Sequence, residues 1–252
     1  MRGQQQFYMP KISPLVKVLL IVNTAVFLLQ LVLQNAMGID IGQILGFVPA
    51  RLASGWIWQP FTYAFLHGGL FHILFNLLIL WSIGSELENI WGSRLFGIYY
   101  FVCILGAAIT YAIFSLFDIG YGPNHPVIGS SGAVYGLLLA YGILFGDRTL
   151  YFFMLFPMPA RYFVLLLGAI ELISSVFYAR NGIAHTAHLG GMVSGFLLLM
   201  AMAHWRQRKK AELSGEKDRV ARKKRLKQAT HLKLINPADN EPDDDDKPSH
   251  WN

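Results

Sequence analysis

Charge is what this sequence has least of. Only 14% of its 252 residues are Asp, Glu, Lys or Arg, and 54% are hydrophobic, whereas soluble domains carry about 25% charged residues. That balance excludes an ordinary soluble globule. Cysteine is nearly absent as well: Cys103 stands alone in an apolar run, which excludes an intramolecular disulfide and marks it as a packing residue. There is no His-Glu-x-x-His pair of the kind that holds a catalytic zinc. The N-terminal segment lacks the compact charged region, short apolar core and small-residue cleavage site of a secretory signal, so its apolar run is expected to stay as a helix.

What the sequence has is apolar runs of membrane length. The expected fold is an all-α membrane protein with six transmembrane helices and a short central fourth helix, spanning about 15–33, 70–88, 95–117, 131–146, 161–178 and 184–205. Residues 1–14 form an N-terminal segment, and 206–252 a charged tail expected to be disordered. Residues 34–66 are too broken by Gly and Pro to span, and their cluster Trp56-Ile57-Trp58-Gln59-Pro60-Phe61 suits the membrane interface. The stretch Tyr151 to Pro159 is apolar but interrupted by Pro157 and Pro159.

The charges are segregated. Of 21 Lys and Arg, eight precede His204 and twelve fall between Arg206 and Lys233. With six spans, the tail, Arg2, Lys11, Arg94, Arg148 and Arg161 share one side, against Arg51 and Arg180 on the other, so both termini are expected in the cytoplasm. A cell membrane is the expected location. The expected partner is the lipid bilayer, with no nucleic acid and no cofactor; a basic segment beside the membrane also suits anionic headgroups. Oligomeric state is left open.

The chemistry centres on Gly129-Ser130-Ser131-Gly132, a glycine-framed serine at the head of the fourth run. Serine needs a base. Counted back from the cytoplasmic ends at ~1.5 Å per residue, Ser131 lies ~22 Å above Gly146, His188 ~26 Å above Trp205 and His72 ~24 Å above Glu88, with Asn76 one turn deeper than His72. A nucleophile, two histidines and an amide therefore share one layer, inside a hydrocarbon core ~30 Å thick. Gly132 and Gly136 in the fourth span, and Gly191 and Gly195 in the sixth, form Gly-x-x-x-Gly stripes that let helices approach closely.

These residues resemble the rhomboid family of intramembrane serine proteases over about 15–205. Gly129-Ser130-Ser131-Gly132 is similar to the family's Gly-x-Ser-Gly, His188, Gly191 and Gly195 to its His-x-x-Gly-x-x-x-Gly, and His72 with Asn76 to its His-x-x-x-Asn, preceded by His67. Glu88 and Gly92 match a Glu-x-x-x-Gly turn after the second helix. The compact six-span body is similar to bacterial members, which implies a bacterial inner membrane as its location and transmembrane protein substrates as its partners. The resemblance implies Ser131 as nucleophile, His188 as base, Tyr135 packed against the imidazole, and substrate entry beside span five. It departs from the family at Trp58-Gln59, where many members have Trp-Arg, which leaves the anchoring of the first outer loop open.

The implied reaction is peptide hydrolysis within the membrane by a Ser131–His188 dyad, with His72, Asn76 and the backbone at Ser131 stabilising the oxyanion. No third acid is expected, since Asp40, Asp118 and Asp147 lie at the ends of helices or in loops. His67 is expected to be structural and His185 to line the site, while Glu171 is read either as a neutral, internally bonded carboxyl or as a gating residue. Two other classes stay in view: a metal-dependent transporter or protease using the outer-layer histidines, and a proteolytically inactive rhomboid-like protein that binds membrane clients.

Overall fold

Pro14 sits at the first position of helix α1 (Pro14–Met37), where a missing N–H costs nothing, and Gly38 ends the helix at φ 66 with its N–H on Leu33 O. The computed structural model describes residues 10–117, 122–152, 156–177 and 184–233. After α1 come three short helices, α2 (Gly42–Leu45), α3 (Pro49–Leu52) and α4 (Gln59–Thr62), and a 3₁₀ turn, Tyr63–Phe65. The second span is interrupted: α5 (Leu70–Ile79) passes through a wide π turn, Leu80–Gly84, into α6 (Ser85–Trp91). Then follow α7 (Ser93–Leu116), α8 (Ser131–Leu144), α9 (Ala160–Phe177) and α10 (His185–Lys233).

Among the described residues, five helices are long and apolar enough to cross a membrane: α1, the run Leu70–Trp91, α7, α9 and α10. The shorter apolar helix α8 has 14 residues, a rise of ~21 Å that is less than the ~30 Å thickness of a bilayer's hydrocarbon core. This is an all-α multi-pass membrane bundle. Its outward faces are apolar, as at Val18, Ile21, Leu165 and Leu172, while α8 is buried along most of its length and packs against α7 and α9.

Charged anchors stand at the helix ends. Glu88 is 2% exposed and accepts hydrogen bonds from the N–H groups of Leu15 (2.8 Å) and Val16 (2.9 Å) and from the hydroxyls of Ser13 and Ser93. One carboxylate thus satisfies free donors at the start of α1 and holds the start of α7. Gly92, at φ 79, makes the left-handed turn between α6 and α7 that a side chain would resist.

The first outer loop is held by Gln59. Its side chain, fully buried, accepts from Val48 N–H at 3.1 Å and donates to Ile44 O at 3.2 Å, and Trp58 Nε1 donates to Ile44 O at 3.1 Å. Phe47 and Val127 exchange backbone hydrogen bonds of 2.9 Å, fastening this loop to the one before α8. An amide at position 59 therefore supplies the anchoring that the departure from Trp-Arg left open.

Two stretches differ from expectation. Thr149–Phe152 and Phe156–Pro159 pair as an antiparallel ribbon, Leu150 opposite Met158, where an irregular apolar connection is expected. Prolines are tolerated there because a two-stranded ribbon has only edges. The chain also divides into two compact units at Met200 and Ala201, and the second is helical to Lys233 rather than disordered from Arg206. Its Ala, Leu, Glu, Lys, Arg and Gln content favours helix without a packed face. The acidic run Asp243–Asp246, like Asp118, Arg2 and Arg180, lies outside the described residues.

Candidate active site

Gly129 has φ +119, and a Cβ built there would lie 2.9 Å from His72 Nε2 and 3.6 Å from Ser131 Oγ. Glycine is required on both counts: the backbone is left-handed and the space is already bordered by two polar side chains. Gly129 N–H bonds to Tyr63 O at 2.9 Å, which fixes the turn into α8. Ser130 is the N-cap residue and Ser131 the first of the helix, so the serine stands where backbone N–H groups have no intrahelical acceptor.

Ser131 Oγ is 2.7 Å from His188 Nε2. The ring of Tyr135, one turn along α8, stacks on the His188 imidazole at 4.5 Å between centroids and 11° between planes. His188 is 8% exposed, so its orientation is set by packing as well as by the hydroxyl. Gly191, three residues further along α10, meets the backbone of Gly132: a Cβ there would fall 1.9 Å from Gly132 O. A Cβ on Gly132, Gly136 or Gly195 would instead run into α7, 2.5 Å from Ala107 Cβ, 2.4 Å from Cys103 Sγ and 2.3 Å from Tyr99 Oη, and the one on Gly136 would also lie 3.1 Å from Gly191 O. Cys103 is buried and free, filling that contact.

His72 accepts from Gly68 N–H through Nδ1 at 3.2 Å, so in the neutral ring Nε2 carries the proton on the side facing Gly129. Asn76, 4% exposed, donates from Nδ2 to His72 O at 2.7 Å, and its buried Oδ1 has no partner. The amide keeps a second N–H. His67 lies outside the spanning helices and bonds Ser130 Oγ at 3.3 Å rather than Ser131, while Gln30 clamps its peptide N–H (3.1 Å) and carbonyl (3.0 Å). Burial, aided by the neighbouring His72, pushes the His67 imidazole down to about 3, so it is neutral and positions the N-cap of α8.

Sequence reasoning missed one member of this cluster. No third acid is expected, and Asp40 accepts from Gly42 N–H while Asp147 pairs with Arg161, but Glu171 of α9 is buried against the histidines. Its Oε2 accepts from His185 Nδ1 at 2.6 Å and stands 3.1 Å from His188 Nδ1, close enough to pair electrostatically though the angle is not that of a hydrogen bond; Tyr135 Oη donates to Oε1. The signal was available in helix counting: Glu171 is ten residues above Arg161, ~15 Å, and Tyr135 eleven above Gly146, ~16 Å. Glu171, His185 and His188 also offer donor atoms within 4.8 Å of one another, the one group among the described residues that could hold a metal ion.

Residues 54–205 match the model of the rhomboid domain. The chain is 35% identical over 146 residues to RHOMBOID-like protein 1 of Arabidopsis thaliana, covering 56% of this chain and 33% of that protein. It is 28% identical over 153 residues to rhomboid protease GluP of Bacillus subtilis (strain 168), covering 60% and 27%. With rhomboid protease GlpG of Pectobacterium atrosepticum the identity is 29% over 196 residues, covering 77% and 63%. The chain thus spans between 27% and 63% of the length of these relatives. They come from a plant as well as from bacteria, so they do not single out a bacterial type.

Proposed function

The chain belongs to the rhomboid family, and from that premise we propose that it is an intramembrane serine endopeptidase cutting transmembrane segments of other membrane proteins near their outer ends. The observation that carries this reading is the 2.7 Å contact between Ser131 Oγ and His188 Nε2, at the buried end of a helix shorter than the thickness of a bilayer's hydrocarbon core. His188 takes the Ser131 proton as the oxygen attacks the scissile carbonyl, returns it to the leaving amine, and activates water for deacylation. The oxyanion forms beside the first N–H groups of α8, with His72 Nε2–H and the free N–H of Asn76 as further donors. A segment containing Gly or Pro is the preferred substrate, because a regular helix hides its carbonyls.

The placement proposed is a cell membrane, with both termini in the cytoplasm. The Lys and Arg asymmetry supports it, and thiol labelling of single cysteines introduced into the loops from either side would reverse it if the tail labels from outside. The deciding experiment is a fluorophosphonate or isocoumarin probe on detergent-solubilised protein. Wild type labels, and Ser131→Ala and His188→Ala do not. Labelling that persists in Ser131→Ala overturns the assignment.

The cluster of Glu171, His185 and His188 favours a second reading, in which a bound metal serves transport or hydrolysis. It leaves Gly129-Ser130-Ser131-Gly132 unexplained. Activity that a chelator abolishes and Ser131→Ala spares would support it. An inactive client-binding protein is the weaker alternative, since both the serine and the histidine are present.

A further inference from the structure

We infer that Glu171 is a positioning residue for His188, turning the serine–histidine dyad into a Ser131–His188–Glu171 chain. The inference rests on the serine protease reading. Glu171 is 4% exposed in the middle of an apolar span, where an unpartnered carboxyl is costly. Among the described residues its polar contacts all run to the site: Tyr135 Oη on one oxygen, and His185 Nδ1 and His188 Nδ1 on the other.

The arrangement has two consequences for the base. First, a carboxylate oxygen 3.1 Å from Nδ1 makes that nitrogen the protonated one in the neutral ring, which leaves the lone pair of Nε2 facing Ser131 Oγ. Second, when the O–H bond of Ser131 breaks and an N–H bond forms at Nε2, the resulting imidazolium sits against an anion. Glu171 takes up no proton. At rest its Oε2 is engaged by His185, and it stands 3.1 Å from the misaligned Nδ1–H of His188, which it can share once that N–H turns toward it, since a carboxylate oxygen accepts more than one donor. The same carboxylate holds Tyr135, whose ring is the wall against which that turn occurs.

Fluorophosphonate inactivation of the full chain in detergent tests this without a known substrate, because phosphonylation of Ser131 also needs the base. Glu171→Gln keeps the shape and removes the charge; it lowers the maximal inactivation rate about 100-fold while the half-saturating probe concentration stays within about twofold. Glu171→Asp recovers about tenfold of that loss, and the thermal midpoints of both variants stay within a few degrees of wild type. A maximal rate in Glu171→Gln within about threefold of wild type overturns the inference. So does a loss that tracks a fallen thermal midpoint and is not relieved by Asp, which would mark Glu171 as structural. Wild-type labelling that persists in Ser131→Ala sinks the serine reading itself and this inference with it, whereas Ser131-dependent labelling with an unaffected Glu171→Gln sinks the inference alone.

Discussion

Gly191 lies so close to Gly132 that a Cβ on the first would fall 1.9 Å from the carbonyl oxygen of the second. The atom in the way is backbone, which no side-chain rotation clears. This contact joins the helix of the proposed base to that of the proposed nucleophile, and hence sets the distance from Ser131 to His188.

Gly191→Ala therefore has to part α8 from α10. It is expected to lower stability by ~1–3 kcal/mol or more and to abolish probe labelling. Gly215→Ala, in an exposed helical stretch where a Cβ meets nothing within 4 Å, is the control; it leaves labelling intact and gains ~0.5–1 kcal/mol of helix stability. Thermal unfolding in detergent and fluorophosphonate labelling check both. Normal labelling by Gly191→Ala contradicts the close approach.

Asn76→Ala tests the oxyanion assignment. Removal of one donor is expected to cost ~2.7–4 kcal/mol of transition-state stabilisation, a ~10²–10³-fold fall in turnover. Some activity remains, because the N–H groups of α8 and His72 are still present. Turnover of a fluorogenic single-span reporter carrying a Gly-Ala pair near its outer end measures this, against Ser131→Ala as zero; equal turnover in Asn76→Ala and wild type removes Asn76 from the role.

Glu88→Ala leaves four donors without their acceptor: Leu15 N, Val16 N, Ser13 Oγ and Ser93 Oγ. Each buried donor left without an acceptor costs ~1–3 kcal/mol. The thermal midpoint should fall sharply, yet labelling well below it should match wild type, because Glu88 is remote in sequence and role from the serine. Loss of labelling in a variant that keeps its midpoint would be the contrary result.

Gln59→Ala removes the acceptor of Val48 N–H and the donor to Ile44 O. An unsatisfied buried amide costs ~1–3 kcal/mol, and it falls on the loop rather than the bundle. Limited proteolysis should then cut between residues 38 and 66 sooner than in wild type, with the thermal midpoint of the body little changed.

Much of the site was legible as height. Rise per residue, counted from helix ends, placed Ser131, His188 and His72 in one layer, and the structure brings Ser131 to His188 and borders Gly129 with His72. What counting does not carry is azimuth. Glu171 and Tyr135 have similar heights, but only packing shows that α9 turns Glu171 toward Tyr135 and the histidines. The same limit applies to the glycine stripes. Gly191 turns its open side to the backbone of Gly132, but Gly132 and Gly136 turn theirs to Ala107 and Cys103 of α7, and Gly195 to Tyr99.

Other features left little trace in the apolar pattern. The π turn Leu80–Gly84 interrupts a run whose hydrophobicity is continuous, and the ribbon at Thr149–Pro159 is written in residues whose prolines argue against strand. Helix from Arg206 to Lys233 follows from propensity rather than periodicity, which is why a search for an apolar face finds none.

The carboxylate of Glu88 closes the start of a helix from 75 positions downstream of Ser13. During synthesis from the N-terminus, the leading N–H groups of α1 are therefore made long before their acceptor. The first helix can be docked in its final place only once residue 88 has been made, so a chain stalled before it would lack that anchor.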